Sequence, residues 1–358
     1  MKKYNFYNIH NIIRICVSND ISYINDIDSH LIFFKDKIGW DNPETVSDVV
    51  IKSFESFSFD DSKNEIFFDD YVFNNNFLIR TAAKFAVNLS NNRLDFFMSN
   101  LTLPINLILQ LALLKKGYSF LHCAAMSVNN TSFLLPAFGG VGKTSIISSF
   151  ASEGEKIFGD DLCIVGHNRV YSYPQDMSIY EYHLKIFNNL PNKAFSYFKK
   201  RNFIKLLISP FTLFGKKVNK LINIVLSRYY PEAINIPLID VFGKKCISDS
   251  QEINYIIKLN KSSFKDSLEL DNLNKDKFVE FCSSVVLNEW NHYYNILFLL
   301  DASIGNKDTF SIEKFFKDTS DVFKENFDNA KLYEFNINYK TKPSEVNDNF
   351  KNILNNLK

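Results

Sequence analysis

The chain has 358 residues and carries 41 Lys and Arg against 40 Asp and Glu, so its formal net charge at pH 7 is +1. This length allows two domains, and 46% hydrophobic residues are enough for a large core. The nearly balanced charge excludes the strongly basic surface that drives non-specific nucleic-acid binding. We therefore predict that the protein has no nucleic-acid partner.

The cysteines and the apolar runs indicate the compartment. The five cysteines are scattered and form no Cys-x-x-Cys pair, which is typical of buried, reduced thiols. The N-terminus lacks the apolar core of a signal peptide, and the longest apolar run, 101–114, is too short to span a bilayer. We expect a cytoplasmic protein without a membrane partner.

Short apolar segments, separated by Asn and Asp clusters, fill the first hundred residues. They alternate as strands do. Examples are the segments 12–17, 31–34, 65–68 and 77–80. We predict a mainly β and largely antiparallel N-terminal portion over 1–100, followed by a second region over 101–358.

The second region begins with a helix and a hairpin. Residues 104–116 have leucines on one helical stripe, and Gly117 lies near the predicted end. The segments 119–128 and 131–135 are predicted strands, and Asn129 and Asn130 between them favour a turn.

Directly after the hairpin, residues 136–145 read Pro-Ala-Phe-Gly-Gly-Val-Gly-Lys-Thr-Ser. This run fits the P-loop (Walker A) pattern G-x-x-x-x-G-K-[ST], except that Ala137 replaces the first glycine. A strand before it and a predicted amphipathic helix after it complete the P-loop context, with Lys143 reaching the outer phosphates and Thr144 holding magnesium. The predicted nucleotide-binding residues are Gly139, Gly140, Val141, Gly142, Lys143, Thr144 and Ser145.

Two further elements carry chemistry. Asp160 and Asp161 end the strand that follows the P-loop helix, and ligands collect at the carboxyl ends of strands. One carboxylate would bind magnesium, and the other would accept a proton from an attacking hydroxyl. His122 lies in the first hairpin strand, and the hairpin carries it toward the same end of the sheet.

The order of Leu-His, hairpin, Gly-Gly-Val-Gly-Lys-Thr, helix and Gly-Asp-Asp resembles the kinase domain of HPr kinase/phosphorylase. It is also similar to that family's relatives encoded beside ribosomal-peptide biosynthesis enzymes. The resemblance covers roughly 104–175. It implies an α/β (α+β) fold over 101–358, with the mixed sheet of the HPr kinase/phosphoenolpyruvate-carboxykinase type.

The resemblance also implies roles and cofactors. ATP and Mg²⁺ would be bound, and the γ-phosphoryl group would pass to a Ser or Thr of a peptide or small protein. Asp160 would be the base, Lys143 would stabilise the transferred charge, and Thr144 and Asp161 would hold the metal. Asp161 would otherwise position the base, and His122 would orient the acidic pair or the incoming hydroxyl. Relatives are often oligomeric, so a homo-oligomer is a further expectation.

Three other functions stay open. A kinase of a small hydroxy compound, such as a free amino acid, would need a closed polar pocket near Asp160. A partitioning-type ATPase usually has a lysine before the two glycines, where this chain has Phe138. A recognition subunit would bind nucleotide or peptide without transfer. The family's phosphorolysis motif is missing, so we do not expect the reverse reaction or HPr as the substrate.

The remaining pattern predicts the elements of the C-terminal half. Residues 185–230 are rich in Lys and Phe at helical spacing and suggest a lid or a docking surface. His167 is expected in a turn and His183 on the surface. Predicted strands lie at 236–242, 253–259, 294–300 and 331–339, and predicted helices at 274–290, 311–326 and 343–357.

Overall fold

The computed structural model describes residues 4–37, 39–58, 65–68, 71–74, 77–88, 93–185, 187, 190–208, 224, 226, 228–263, 267–270, 274–304 and 311–357. The chain forms two compact units that interleave in sequence. The first unit contains Met1–Leu121, Ile164–Arg169 and Asn274–Asn329, and the second contains the remaining residues. The division predicted at residue 100 stays a prediction.

The described residues form both strands and helices, which makes the protein mixed α/β. The strands are β1 Tyr4–Ile9, β2 Ile13–Ser18, β3 Lys35–Asp36, β4 Val49–Lys52, β5 Glu65–Phe68, β6 Tyr71–Asn74, β7 Phe77–Arg80, β8 Phe85–Asn88, β9 Leu94–Met98, β10 Ser119–Val128, β11 Thr131–Pro136, β12 Lys156–Gly159, β13 Leu162–Gly166, β14 Arg169–Tyr171, β15 Asp176–Tyr180, β16 Ala233–Pro237, β17 Ser250–Glu252, β18 Tyr255–Ser262, β19 Ser267–Leu270 and β20 Lys331–Asn338. The helices are α1 Ile24–Leu31, α2 Pro43–Val46, α3 Ile105–Leu114, α4 Lys143–Ser152, α5 Asn192–Ile208, α6 Leu238–Phe242, α7 Lys275–Glu289, α8 Tyr294–Ile304, α9 Ile312–Asn326 and α10 Pro343–Asn356.

The first sheet has the order β3-β1-β2-β4-β9-β8-β7-β6-β5. Its pairs are antiparallel except β2 with β4 and β4 with β9, which are parallel. The strands predicted at 12–17, 65–68 and 77–80 are confirmed. The strand predicted at 31–34 is wrong, because Leu31 ends α1 and the next three residues form a 3-10 helix.

Three helices of the first unit lie where the sequence predicted two helices and one strand. Helices α7 and α9 confirm those at 274–290 and 311–326. The strand predicted at 294–300 is wrong, because this segment lies in α8. The continuous apolar run 296–300 has no alternation to separate a strand from a buried helix, and it lies within a helix of eleven residues.

The second sheet has the order β17-β14-β13-β10-β11-β18-β20-β19, and β12 also pairs with β10. Strands β10 and β11 form the predicted antiparallel hairpin, and β18 and β20 are parallel neighbours. Both predicted segments, 253–259 and 331–339, are therefore confirmed as strands. The strand predicted at 236–242 is wrong beyond Pro237, because the chain turns into the short helix α6.

The core of the second unit fixes the helix that follows the glycine-rich loop. Ile146, Ile147 and Phe150 of α4 are buried in one cluster with residues of the sheet and of α10. Phe150 meets Phe350 edge to face, with ring centroids 6.3 Å apart. This packing along α4 fixes the position of its N-terminus.

Two predictions about the compartment can be compared with the structure. No disulfide joins the cysteines, all of which are described, and Cys16, Cys123, Cys163 and Cys282 are buried. Among the described residues, no helix combines the length and apolar character that crossing a bilayer requires.

Candidate functional site

The β10–β11 hairpin brings His122 to the glycine-rich loop. Its register pairs Cys123 with Pro136, the last residue of β11. His122 is therefore level with the first residues of the loop. The two-residue turn has φ of 50° at Asn129 and 63° at Asn130, as in the type I′ turns that favour asparagine.

The loop has the left-handed backbone that its glycines allow. Gly140 has a φ of 75° and Gly142 a φ of 118°, and Gly142 caps the start of α4. Ala137 is fully buried and lies outside the set of residues with positive φ. Because this position does not need a left-handed backbone, alanine fits where the general pattern has glycine.

The acidic pair is positioned by the glycine before it. A Cβ on Gly159 would lie 2.1 Å from the carbonyl oxygen of Leu162, a separation no side chain tolerates. Only glycine lets the chain turn so tightly after β12. This turn brings Asp160 and Asp161 beside the loop.

The predicted catalytic and metal-binding side chains converge. Thr144 Oγ1 donates to Asp160 Oδ2 at 3.0 Å. Asp161 Oδ1 lies 3.2 Å from His122 Nε2 and 3.6 Å from Lys143 Nζ. Lys143 Nζ also donates to the carbonyl oxygen of Ala137 at 2.7 Å. The sequence did not indicate that the two aspartates have different partners. Asp160 contacts the threonine, whereas Asp161 contacts the histidine and the lysine.

Burial sets the charge states. Burial, and then the charge of Asp161, raise the pKa of Asp160 to about 7, against the opposing effects of Thr144 and Lys143. Burial lowers the pKa of His122 to about 4, although Asp161 opposes that shift. His122 is therefore neutral at pH 7, and its Nε2 lies close to Asp161 Oδ1 without forming a hydrogen bond. Asp160 Oδ1 is buried and has no hydrogen-bond partner among the described residues.

A cavity of about 550 Å³ opens in front of these groups, and every predicted nucleotide-binding residue lines it. Ser145 also places its Oγ 3.4 Å from Asn347 Oδ1. The other lining residues are Asp160, Asp161, Asp176, Ser178, Tyr180, Tyr182, His183, Lys261, Ile337, Asn338, Tyr339, Thr341, Pro343 and Val346.

Two walls of this cavity were not predicted from the sequence. One is formed by β15 and the residues after it, and the other lies where β18 and β20 end. His183 was expected on the surface, but only 1% of it is exposed, because its ring packs against Tyr182 and Phe187. The alternation of polar and apolar residues over 176–180 was a signal for the strand, but not for the burial of His183. His167 lies in a tight turn with a φ of 53°, as predicted.

Within the described residues, no group of three or more His, Cys, Asp and Glu side chains gathers at metal-binding distance. A magnesium ion in this cavity would therefore need hydroxyl and phosphate oxygens besides carboxylates, which is how Mg²⁺ is usually held beside nucleotides.

No family model matches this chain, and no curated protein matches it. Among solved structures, the Hpr(Ser) kinase/phosphatase from Coxiella burnetii is similar with a TM-score of 0.21 and 11% identity. The match covers 50% of this chain and 98% of that chain. A TM-score this low supports no argument about function, so the proposal below depends on the site itself.

Proposed function

We propose that the protein is an ATP- and magnesium-dependent kinase that transfers the γ-phosphoryl group to a Ser or Thr hydroxyl of a peptide or small protein. The observation that supports this most is the meeting of Thr144, Asp160 and Asp161 at the N-terminus of α4. Phosphoryl transfer needs a phosphate cradle and a nearby proton acceptor, and both are in one cavity here.

The loop and Lys143 would bind the triphosphate. Backbone N–H groups and the positive end of the helix dipole favour phosphate at this position. The Lys143 ammonium would leave the carbonyl oxygen of Ala137 for the outer phosphates and would spread the charge that develops during transfer.

Asp160 would act as the base. Its Oδ2 is held by Thr144, whereas its buried Oδ1 has no partner among the described side chains and backbone groups. An acceptor hydroxyl placed beside Oδ1 would lose its proton to that oxygen as it attacks the γ-phosphorus. His122, through its contact with Asp161, would keep the second carboxylate in place.

The oxygen atoms present fit a magnesium ion. The Thr144 hydroxyl is at the helix start, and Asp161, whose contacts with His122 and Lys143 both go to Oδ1, lines the same cavity. Hydroxyl and carboxylate oxygens are the ligands that Mg²⁺ prefers. When bound, the ion would neutralise part of the charge on the phosphates.

A transfer assay with a matched acceptor panel tests this function. The protein would be incubated with γ-labelled ATP and magnesium, and with either a serine- and threonine-centred peptide library or the free amino acids. We expect labelled peptides and unlabelled free amino acids. Lys143→Ala, purified in the same way, is the control for a contaminating kinase and should give no label.

Label on the free amino acids alone would favour the small-molecule kinase instead. ATP binding without transfer to either panel would contradict kinase activity and favour a recognition subunit.

A further inference from the structure

The cavity wall formed by β15 and the residues after it contains a buried hydrogen-bond donor. His183 Nδ1 accepts the backbone N–H of Tyr180 at 3.1 Å, so this nitrogen carries no proton. Burial lowers the pKa of the imidazole to about 4, and the neutral ring therefore has its proton on Nε2. His183 Nε2 is buried and has no hydrogen-bond partner among the described residues.

An unsatisfied buried donor is unusual, because it loses water without gaining a partner. His183 cannot easily turn away to find one. Its ring is stacked on Phe187, with centroids 4.8 Å apart and planes at 20°, and Tyr182 packs against it edge to face at 4.1 Å. The donor is therefore held at the cavity wall.

This wall and the acidic pair line the same cavity. The charge of Asp160 contributes to the raised pKa of Tyr182. A second part of the lining, with Lys261 and Tyr339, is formed by residues at and just beyond the ends of β18 and β20. An acceptor hydroxyl has to approach Asp160, which lines the same cavity as the β15 wall.

The wall is formed in part by the strand β15. Along β15 the residues alternate between exposed and buried, and Asp176, Ser178 and Tyr180 face outward into the cavity. In the described part of the chain, β15 pairs with β16 alone. The cavity of about 550 Å³ is within the usual size range of a ligand site (about 300–1,000 Å³), and β15 forms part of its lining.

We propose that the β15 wall is the acceptor subsite and that His183 Nε2–H donates to a backbone carbonyl of an extended acceptor peptide beside its Ser or Thr. This inference rests on the proposed kinase function and names how its substrate is recognised. Nε2 is shielded from solvent, so binding requires a neighbouring side chain to move aside, and Tyr182, which packs against the imidazole and is 54% exposed, is a candidate. Extended peptides are commonly bound through their main chain beside an exposed strand.

Two substitutions at one position separate recognition from packing. His183→Asn places an acceptor oxygen near the former Nδ1 and removes the Nε2 donor. His183→Gln places an amide N–H near the former Nε2 and loses the acceptor for the Tyr180 N–H. With the best peptide of a serine- and threonine-centred library, we expect His183→Asn to raise the KM for peptide about tenfold and His183→Gln to raise it less. The KM for ATP should change less than about twofold in both, since neither variant alters the phosphate cradle.

A purely structural histidine would give the reverse order, with His183→Gln the more damaging variant, and that result would overturn the subsite while leaving the kinase proposal intact. Equal increases in the KM for ATP and for peptide would overturn it as well. Absence of transfer to any peptide, with ATP still bound, would overturn both proposals.

A second measurement uses the wild-type protein and needs no variant. Each backbone amide of the best peptide is replaced in turn by a thioamide, whose sulfur is a weaker hydrogen-bond acceptor. We expect one position near the phosphorylated residue to raise the KM for peptide about tenfold. A scan without any such position would overturn the subsite, even if His183→Asn does not fold.

Discussion

At the scale of single residues, Gly159 tests how the acidic turn is built. In Gly159→Ala the new methyl group would meet the backbone of Leu162 at 2.1 Å, and backbone cannot move aside as a flexible side chain can. We expect the free energy of unfolding to fall by about 3–5 kcal/mol, measured by urea denaturation.

The control is Gly139→Ala, because a Cβ there meets nothing within 4 Å and the residue has no positive φ. Its unfolding free energy should stay within about 0.5 kcal/mol of wild type. Similar small changes in both variants would show that Gly159 does not define the turn.

His183 gives the stability a pH dependence. Burial lowers its pKa from 6.5 to about 4. Above pH 6.5 the histidine is neutral in both the folded and the unfolded chain. The contribution of the buried histidine to the free energy of unfolding is then fully present. As the pH falls toward 4, only the unfolded chain takes up the proton, so the free energy of unfolding decreases, by about 1–2 kcal/mol at pH 5.

Other groups titrate in the same range, so the comparison is with His183→Gln. The difference in unfolding free energy between wild type and this variant should shrink from pH 7 to pH 5. A difference that stays constant over this range would contradict a buried neutral histidine.

At the scale of elements, the β10–β11 hairpin connects His122 with the loop, and its turn is open to a direct test. Asn130 has a φ of 63°. Asn130→Ala should lower the unfolding free energy by about 1 kcal/mol, because a Cβ disfavours the left-handed region. Asn130→Gly is the matched control and should retain or slightly raise stability. Equal losses in both variants would mean that the asparagine side chain, and not the backbone, stabilises the turn.

The elements around the loop could be predicted because their signals are local. The Asn129-Asn130 turn, the glycine run and the helix after it each follow from a few neighbouring residues. The segments 31–34 and 294–300 could not be assigned correctly, since short apolar runs suit strand and buried helix equally. In these two segments, tertiary packing determines whether a strand or a helix forms.

At the scale of the whole molecule, local sequence patterns do not predict which residues form the walls of the candidate site. The loop, the acidic pair and His122 lie within 40 residues of one another in sequence (161 − 122 = 39), and their convergence could be predicted from a hairpin and one strand. Lys261 and Tyr339 enter the cavity from strands more than a hundred residues later. The contribution of β15 also needed the fold, because nothing near His183 indicated that its ring would be enclosed.

The interleaving of the two units has the same origin. Residues 274–329 belong to the same unit as 1–121, although the intervening chain builds most of the other unit. Contacts between distant segments determine these crossings. The sequence could therefore predict the chemical groups of the site more completely than the boundaries of the two units.

The most direct test of the central claim is the rate of phosphoryl transfer by Asp160→Asn, measured together with its dissociation constant for ATP and magnesium. Because the amide keeps the shape of the carboxylate but accepts a proton poorly, we predict that the rate falls at least about a hundredfold. The dissociation constant should change less than about threefold, because the loop and Lys143 remain. Asp240→Asn, an exposed aspartate outside the cavity, is the control and should match wild type in both quantities. Transfer by Asp160→Asn at the wild-type rate would contradict the account.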